Sequence, residues 1–367
     1  MIVPEYWAEA RRQVRHRRRS VTVRRFGWSE LSLEAAQAHA EARVQQAMDA
    51  ILAGESLPRR ERRTHYGVEG VPIREQVVAR EGEDVITRNS YGALCLNTPD
   101  VLFADIDLEE PPSGCVLPFL LSAACWLGVM AIVGVNANNW WIGAAAATLA
   151  LVLLNWLVVA VRRVRFNANG GAQGRALAKL EQFSRQQPDW TLRTYRTPAG
   201  LRVLVMHAVF DPQDKAVHQF FKAVHADPLY ARMCRLQHCF RARLTPKPWR
   251  MGMKARIQPR VAAWSAEQAN RPDRLAWIAD YERQSPGFAA CQYLRTFGDT
   301  VRVHPRAAQV RALHDRYSRA ESRLGFAQMG RRGVRTVKSG FTRRCRTRLE
   351  KRRRASISDM NAAVVGQ

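Results

Sequence analysis

The stretch Pro111–Val161, PPSGCVLPFLLSAACWLGVMAIVGVNANNWWIGAAAATLALVLLNWLVVAV, runs fifty-one residues without an Asp, Glu, Lys or Arg. Its apolar halves, Cys115–Val135 and Trp140–Val161, each reach the length of about 20 residues that a helix needs to cross a bilayer. Only Asn136-Ala137-Asn138-Asn139 separates them. Lipid offers the backbone no hydrogen-bond partner, so runs of this kind predict helices, here paired as a hairpin. Trp140, Trp141 and Trp156 stand near the ends as interface anchors. Gly128, Gly134, Gly143 and Ala144–Ala147 are the small residues that let two membrane helices approach. The alternative is a buried helical hairpin of a soluble core, but soluble helices rarely lack charge on every face.

Arg162, Arg163 and Arg165 follow the second run at once, and the turn carries no charge. The positive-inside bias therefore predicts a cytoplasmic flank, and an even number of spans brings both termini to that side. The expected location is the bacterial inner (cytoplasmic) membrane, as a multi-pass protein. Met1–Arg19 has no apolar h-region, so no cleaved signal peptide is expected.

The formal net charge is +26 over 367 residues. The tail Gln328–Gln367 holds twelve Lys and Arg against two acids, +10, which leaves +16 for the rest. Such a surface suits anionic lipid or nucleic acid. Arg outnumbers Lys 51 to 7, a bias that genomic composition also produces. Seven cysteines show no paired framework, as expected of a reducing compartment.

These observations predict an α+β cytoplasmic domain interrupted by a two-helix transmembrane hairpin. Residues 1–83 read as a basic N-terminal arm and a helical region, with eight arginines in the first 25 residues and a helix over Ser32–Ala53. Leu57–Gly70 reads as a connection. Residues 84–110 carry the first strands, around Val85-Ile86-Thr87, Tyr91–Leu96 and Val101–Glu109, with a turn at Asn97-Thr98-Pro99-Asp100. After the hairpin (111–161), residues 162–327 continue the domain. Ala172–Gln186 reads as a helix, and Trp190–Tyr195 and Leu201–His207 as a β-hairpin about Thr197-Pro198-Ala199-Gly200. In that turn Gly200 is free to take positive φ. Helices are predicted from Asp211-Pro212, from Asp227-Pro228, over Asp273–Glu282 and over His314–Leu324, with a strand at Cys291–Thr296. Residues 328–367 read as a basic disordered tail.

The acidic strand is the best candidate for chemistry. Strand alternation puts Leu102, Ala104, Ile106 and Leu108 on one face and Asp105, Asp107 and Glu109 on the other. Same-face Cβ atoms about 6.6 Å apart let Asp105 and Asp107 share Mg²⁺ or Mn²⁺, or flank a metal pair. Downstream, His207 ends an apolar row, and Arg241, Arg243, Lys247 and Arg250 form a basic, Pro-punctuated segment. Carboxylates for metal and cations for phosphate are the inventory of phosphoryl or nucleotidyl transfer. On this reading Asp105 and Asp107 hold metal, His207 serves acid/base chemistry or contacts phosphate, and Arg241, Arg243 and Lys247 bind phosphate. The other reading is a non-catalytic membrane protein whose basic surface binds anionic lipid, nucleic acid or a protein partner. Cys234, His238 and Cys239, with His218 or His225, offer zinc ligands without a C-x₂-C spacing. His304 and the His314-Asp315 pair read as capping or packing residues. No P-loop, G-x-G-x-x-G after a strand, H-E-x-x-H or G-x-S-x-G is present, which removes the enzyme classes built on them.

Phe103–Asp107 (FADID) followed by Tyr195–His207 (YRTPAGLRVLVMH) resembles archaeo-eukaryotic primase–polymerase domains. Those pair a D-x-D on one strand with a histidine from a later hairpin and a further aspartate. The resemblance implies metal-dependent nucleotide chemistry at Asp105, Asp107 and His207, with Asp211 the nearest candidate for the last acid. The strings ITRNSYGALCLNTPDVLFADIDL (86–108) and FRARLTPKPWR (240–250) are also similar to an uncharacterised bacterial transmembrane family, which implies no activity.

Overall fold

The computed structural model describes residues 3–16, 19–57, 61, 71–109, 111, 119–259 and 264–326. The tail 328–367, most of the connection 57–70 and the start of the first apolar run lie outside the described residues. Those described form ten strands and eight α-helices, an α+β protein.

The N-terminal region corrects the reading of a bare arm. β1 (Tyr6–His16) and β2 (Arg19–Ser29) pair antiparallel in continuous register, from Tyr6↔Ser29 to His16↔Arg19. α1 (Leu33–Leu52) covers one face of this ribbon. Ala36, Ala40 and Val44 bury Ala8 and Ala10, and Ala47 and Met48 bury Val23. Small alanines suffice because the helix lies close: a Cβ on Gly27 would stand 2.2 Å from the Ala36 carbonyl oxygen. The interleaved arginines hide this alternation from a hydropathy reading. Ser32 caps α1 as predicted, its hydroxyl accepting from Ala35 N at 3.1 Å.

The main domain is built on two antiparallel sheets that share one apolar core. The first has the order β3 (Gln76–Glu81), β4 (Asp84–Arg88), β5 (Leu94–Thr98), β9 (Phe240–Arg243). β3 moves the domain's start eight residues ahead of position 84. The second has the order β10 (Gln292–Phe297), β7 (Leu192–Arg196), β8 (Gly200–Val205), β6 (Phe103–Asp107). The predicted turn at 97–100 carries the chain from one sheet to the other. Ile86, Leu96, Phe103, Val203 and Leu204 meet in the core with Phe220, Phe240 and Val310, all at most 1% exposed. Burying each such side chain contributes roughly 1.5–3 kcal/mol.

Gly200 plays a different part from the one its turn suggests. Its φ is not in the left-handed region. Instead β6 passes so close that a Cβ would stand 2.0 Å from the Ile106 carbonyl oxygen. α4 (Gly171–Gln186), α5 (Lys215–Ala223), α6 (Pro228–Gln237), α7 (Pro272–Gln284) and α8 (Pro305–Ser318) complete the domain. α5 begins at Lys215 rather than Asp211, because Asp211 Oδ1 accepts from Gln213 N at 2.8 Å in a preceding turn. α8 begins nine residues before His314, with His304 as its cap (Nδ1 accepting from Arg306 N at 3.2 Å) and Pro305 in its first turn.

Between β6 and α4 lie α2 (Phe119–Asn136) and α3 (Trp140–Ala168), packed antiparallel. Asn139 caps α3 by accepting from Trp141 N at 2.9 Å. A Cβ on Gly143 would stand 2.5 Å from the Met130 carbonyl oxygen and 2.9 Å from Gly134 Cα, and Trp126 donates to Thr148 Oγ1 at 3.1 Å. Leu121, Leu127, Ile132, Trp141, Leu149, Leu153 and Trp156 all point outward, more than half exposed. One helix, α3, is long and apolar enough to cross a membrane; α2 over its described residues is shorter than that. α3 runs past Val161 through Arg162, Arg163 and Arg165, good helix formers, until Gly170 and Gly171 turn the chain at φ 78 and 62.

Candidate anion-binding cleft

β6 and β8 place Asp105 directly opposite Arg202. Arg202 donates Nε to Oδ1 at 2.8 Å and Nη2 to Oδ2 at 3.3 Å, so one guanidinium engages both carboxylate oxygens. Its Nη1 donates to the Arg243 carbonyl at 2.8 Å, across to the neighbouring sheet, and approaches His314 Nε2 at 3.4 Å. Burial alone would disfavour the charge on Arg202, but the Asp105 carboxylate more than restores it. Further inside, His314 Nδ1 lies 2.9 Å from Asp315 Oδ1, and Asp315 pairs with Arg193 at 2.9 Å. Cys291 Sγ is 3.8 Å from His314 Nε2. Cysteine, histidine and aspartate stand in nucleophile–base–acid order, yet Cys291 and His314 are both 0% exposed, which suits packing rather than catalysis.

Arg241 and Arg243 alternate along β9 as predicted, but their surroundings differ. Arg241 donates to both oxygens of Glu75 at 2.8 and 2.6 Å and to Asn97 Oδ1 at 3.1 Å. Its charge is spent on the sheet. Arg243 instead heads a group with Lys247 and Arg250, and among the described residues none of the three forms an ion pair with a carboxylate. Nε and Nη1 of the buried Arg250 have no hydrogen-bond partner among the described residues. Burial and the neighbouring Arg243 and Arg250 push the Lys247 ammonium down to about 8, against weaker opposition from Asp107 and Asp105. Arg250 is lowered by burial and by Arg243.

Aromatic side chains border this group. Tyr91 meets Trp249 edge-on at 5.1 Å, and Lys247 Nζ lies 5.5 Å from the Trp249 ring centre. Asn89 Oδ1 accepts from Tyr91 N at 3.2 Å and Ala93 N at 3.1 Å, which orders the loop that presents Tyr91. Gly92 in that loop has φ +93, and the Trp277 ring lies where its Cβ would be. A cavity of about 80 Å³ adjoins this group at Arg243 and Tyr91, lined also by Asn89, Ser90, Asp105 and Arg241 among others. The strings 86–108 and 240–250 supply most of this lining, and Glu75, Tyr230 and Met233 complete it.

The structure brings Asp105, Arg241, Arg243 and Lys247 together and leaves His207 apart. His207 lies past the end of β8, five residues on from Arg202, against Trp190 at 4.9 Å and Phe210 at 5.6 Å. It accepts from Thr191 N at 3.3 Å, and burial, helped by Arg302, pushes its pKa down to about 4. It is a neutral packing residue there. Asp107 is exposed and lines a second hollow, of about 140 Å³, with Glu109, Lys179 and His225. Among the described residues no group of three or more His, Cys, Asp or Glu is placed to hold a metal. In particular Cys234 and Cys239 are fully buried, with thiols pushed up by burial, and His238 hydrogen-bonds Gln213.

Sequence reading passed over Arg202 and Tyr91. A lone arginine between Leu201 and Val203 in an apolar strand was the signal for the first; nothing local marked the second. Compared with known family models, with curated proteins and with solved structures, the chain matches none.

Proposed function

We propose that this chain is a membrane-anchored protein whose α+β domain binds a phosphate-bearing ligand, of the nucleotide class, at Arg243, Lys247 and Arg250. The observation that carries this reading is the cation group of half-buried Arg243 and Lys247 with buried Arg250, none of which forms an ion pair with a carboxylate among the described residues, while two Arg250 nitrogens have no acceptor among them. Buried charge is costly unless paired, and a polyanion supplies both the charge and the acceptors. Trp249, 46% exposed beside Lys247, offers a stacking face for a base.

The anchor is the α2–α3 pair, read as a transmembrane hairpin in a bacterial inner membrane with both termini cytoplasmic. Its outward-facing apolar side chains and the arginines ending α3 support this. The cleft is then a cytoplasmic site near the bilayer.

A metal-dependent phosphoryl or nucleotidyl transferase is the second reading, favoured by the closeness of Asp105 and Asp107 to Lys247. Because Arg202 already engages both oxygens of Asp105, Mg²⁺ or Mn²⁺ would arrive with the ligand phosphates and use Asp107. Thermal unfolding of the detergent-purified protein with inorganic phosphate or a nucleoside triphosphate, with and without Mg²⁺, tests both readings. A ligand at one hundred times its Kd stabilises by about 2.7 kcal/mol. The binding reading requires a shift that Lys247→Gln/Arg250→Gln loses, and an equal shift in wild type and variant overturns it. The transferase reading further requires that Mg²⁺ enlarge the shift and that Asp107→Asn abolish the enlargement.

A further inference from the structure

The β1–β2 ribbon has a face that α1 does not cover. Paired residues share a face, so Trp7, Glu9, Arg11 and Gln13 stand with Trp28, Phe26, Arg24 and Thr22 on that side. Near the domain, Arg74 lies over this face, 5.0 Å from the Trp7 ring and 5.6 Å from Phe26. Farther out, among the described residues, no large apolar side chain is exposed on it: Arg11 and Gln13 are open to solvent, with Thr22 and Arg24 partly so. Glu9, which pairs with Arg24 at 3.2 Å, is the last acid before a long basic run. From Ala10 to Ser29 the sequence holds eight arginines and no Asp or Glu; by register Arg11, Arg15 and Arg24 belong to this face, and Arg12 and Arg25 to the one that α1 covers. Eleven paired residues span about 36 Å at roughly 3.3 Å each, and beyond Arg74 the described side chains of this face that reach solvent are Arg11, Gln13, Ser20, Thr22 and Arg24.

We infer that this face binds duplex DNA, with the ribbon lying in the major groove. A two-stranded ribbon fits a groove about 12 Å wide. Arginine and glutamine on one strand, threonine and arginine on the other, supply phosphate contacts and the forked donors that read guanine and adenine edges. An anionic membrane surface is the competing polyanion. Surfaces that dock on lipid combine their cations with exposed apolar side chains that enter the headgroup layer, and the outer ribbon face presents none among its described residues. The inference is independent of the cleft, whose residues lie in other elements.

The test uses the full chain in nanodiscs of neutral lipid, with a fluorescently labelled 20-base-pair duplex followed by anisotropy from 50 to 200 mM salt. Wild type should bind with a steep inverse salt dependence. Arg11→Gln/Arg24→Gln, which removes the two arginines described on this face, should bind about tenfold or more weakly, with the log–log salt slope reduced by about one for each arginine removed. Arg11→Lys/Arg24→Lys should retain most of the affinity, and Arg243→Gln/Lys247→Gln all of it. Unchanged binding by the Gln variant, or equal loss in the Lys variant, overturns the inference. So does loss confined to the cleft variant. Binding of wild type to phosphatidylglycerol vesicles without binding to duplex also overturns it, in favour of lipid headgroups.

Discussion

Asp105 and Arg202, opposed on neighbouring strands, form a two-pronged pair in which the arginine is buried and the aspartate is partly open to the cleft. The pair ties the second sheet to the first, because the same guanidinium holds the Arg243 carbonyl on β9. Asp105 is thus the anchor of a buried cation as well as the rim of a cavity.

Asp105→Asn should therefore destabilise the domain, by about 3 kcal/mol, at the lower end of what breaking a buried ion pair costs, because the aspartate itself is partly solvated. Asp107→Asn, at an exposed position, should change stability by about 0.5 kcal/mol or less. Urea unfolding of the two variants measures this. Equal stability of Asp105→Asn and wild type would show that Arg202 does not depend on Asp105.

Lys247 gives the cleft a pH signature. With its folded pKa lowered to about 8, the unfolded chain holds more protons between that value and the ordinary lysine value. Stability in the absence of ligand should therefore rise with pH across that window. Phosphate binding should do the reverse, since it needs the charged ammonium. Affinity should fall about tenfold per pH unit once the pH exceeds the folded pKa. Calorimetry in buffers of different ionisation enthalpy should show proton uptake on binding, and Lys247→Arg should remove both the uptake and the pH dependence. Binding without proton uptake in wild type would place the ligand elsewhere.

Gly200→Ala should cost about 1–3 kcal/mol or more, as overpacking does, because its methyl group would enter the Ile106 carbonyl. Ala199→Gly in the same turn should cost far less. If both substitutions prove equally mild by thermal melting, β6 and β8 are not in the close register described.

Gly143→Val should drive α2 and α3 apart, since its Cβ would lie 2.5 Å from the Met130 carbonyl oxygen. Gly128→Val, with nothing within 4 Å of its Cβ position, should be tolerated. Cysteine cross-linking between positions 126 and 148 in membranes reads the separation, and efficient cross-linking in Gly143→Val would count against the packing.

The apolar hairpin, α1 and its caps, and the strands around 85–108 and 192–205 were legible because hydropathy period and turn residues speak locally. Alternation put Asp105 and Asp107 on one face of β6 and Arg241 and Arg243 on one face of β9, but it is silent on how near two strands of different sheets lie. The ribbon was hidden because its buried face is alanine, which carries little hydrophobic signal beside long arginine stems. Arg241's commitment to Glu75 was illegible for another reason: the pair joins residues 166 positions apart, and only the order β3-β4-β5-β9 brings them together. His207 misled because period alone cannot say where a strand ends.

Glu109, at the root of the apolar hairpin, is held by Lys179 at 2.9 Å and Arg175 at 3.5 Å, and it shares a hollow with Ala172 and Ala176. The chain thus leaves the domain and re-enters it at one spot, and every strand pairing closes without help from the helices in between. The hairpin is a graft on a finished framework. Excising it and joining its stumps with a short flexible linker shortens the loop between β6 and β8, and each halving of such a loop recovers about 0.6 kcal/mol of closure entropy. Both the cleft and the ribbon then become accessible in a water-soluble form.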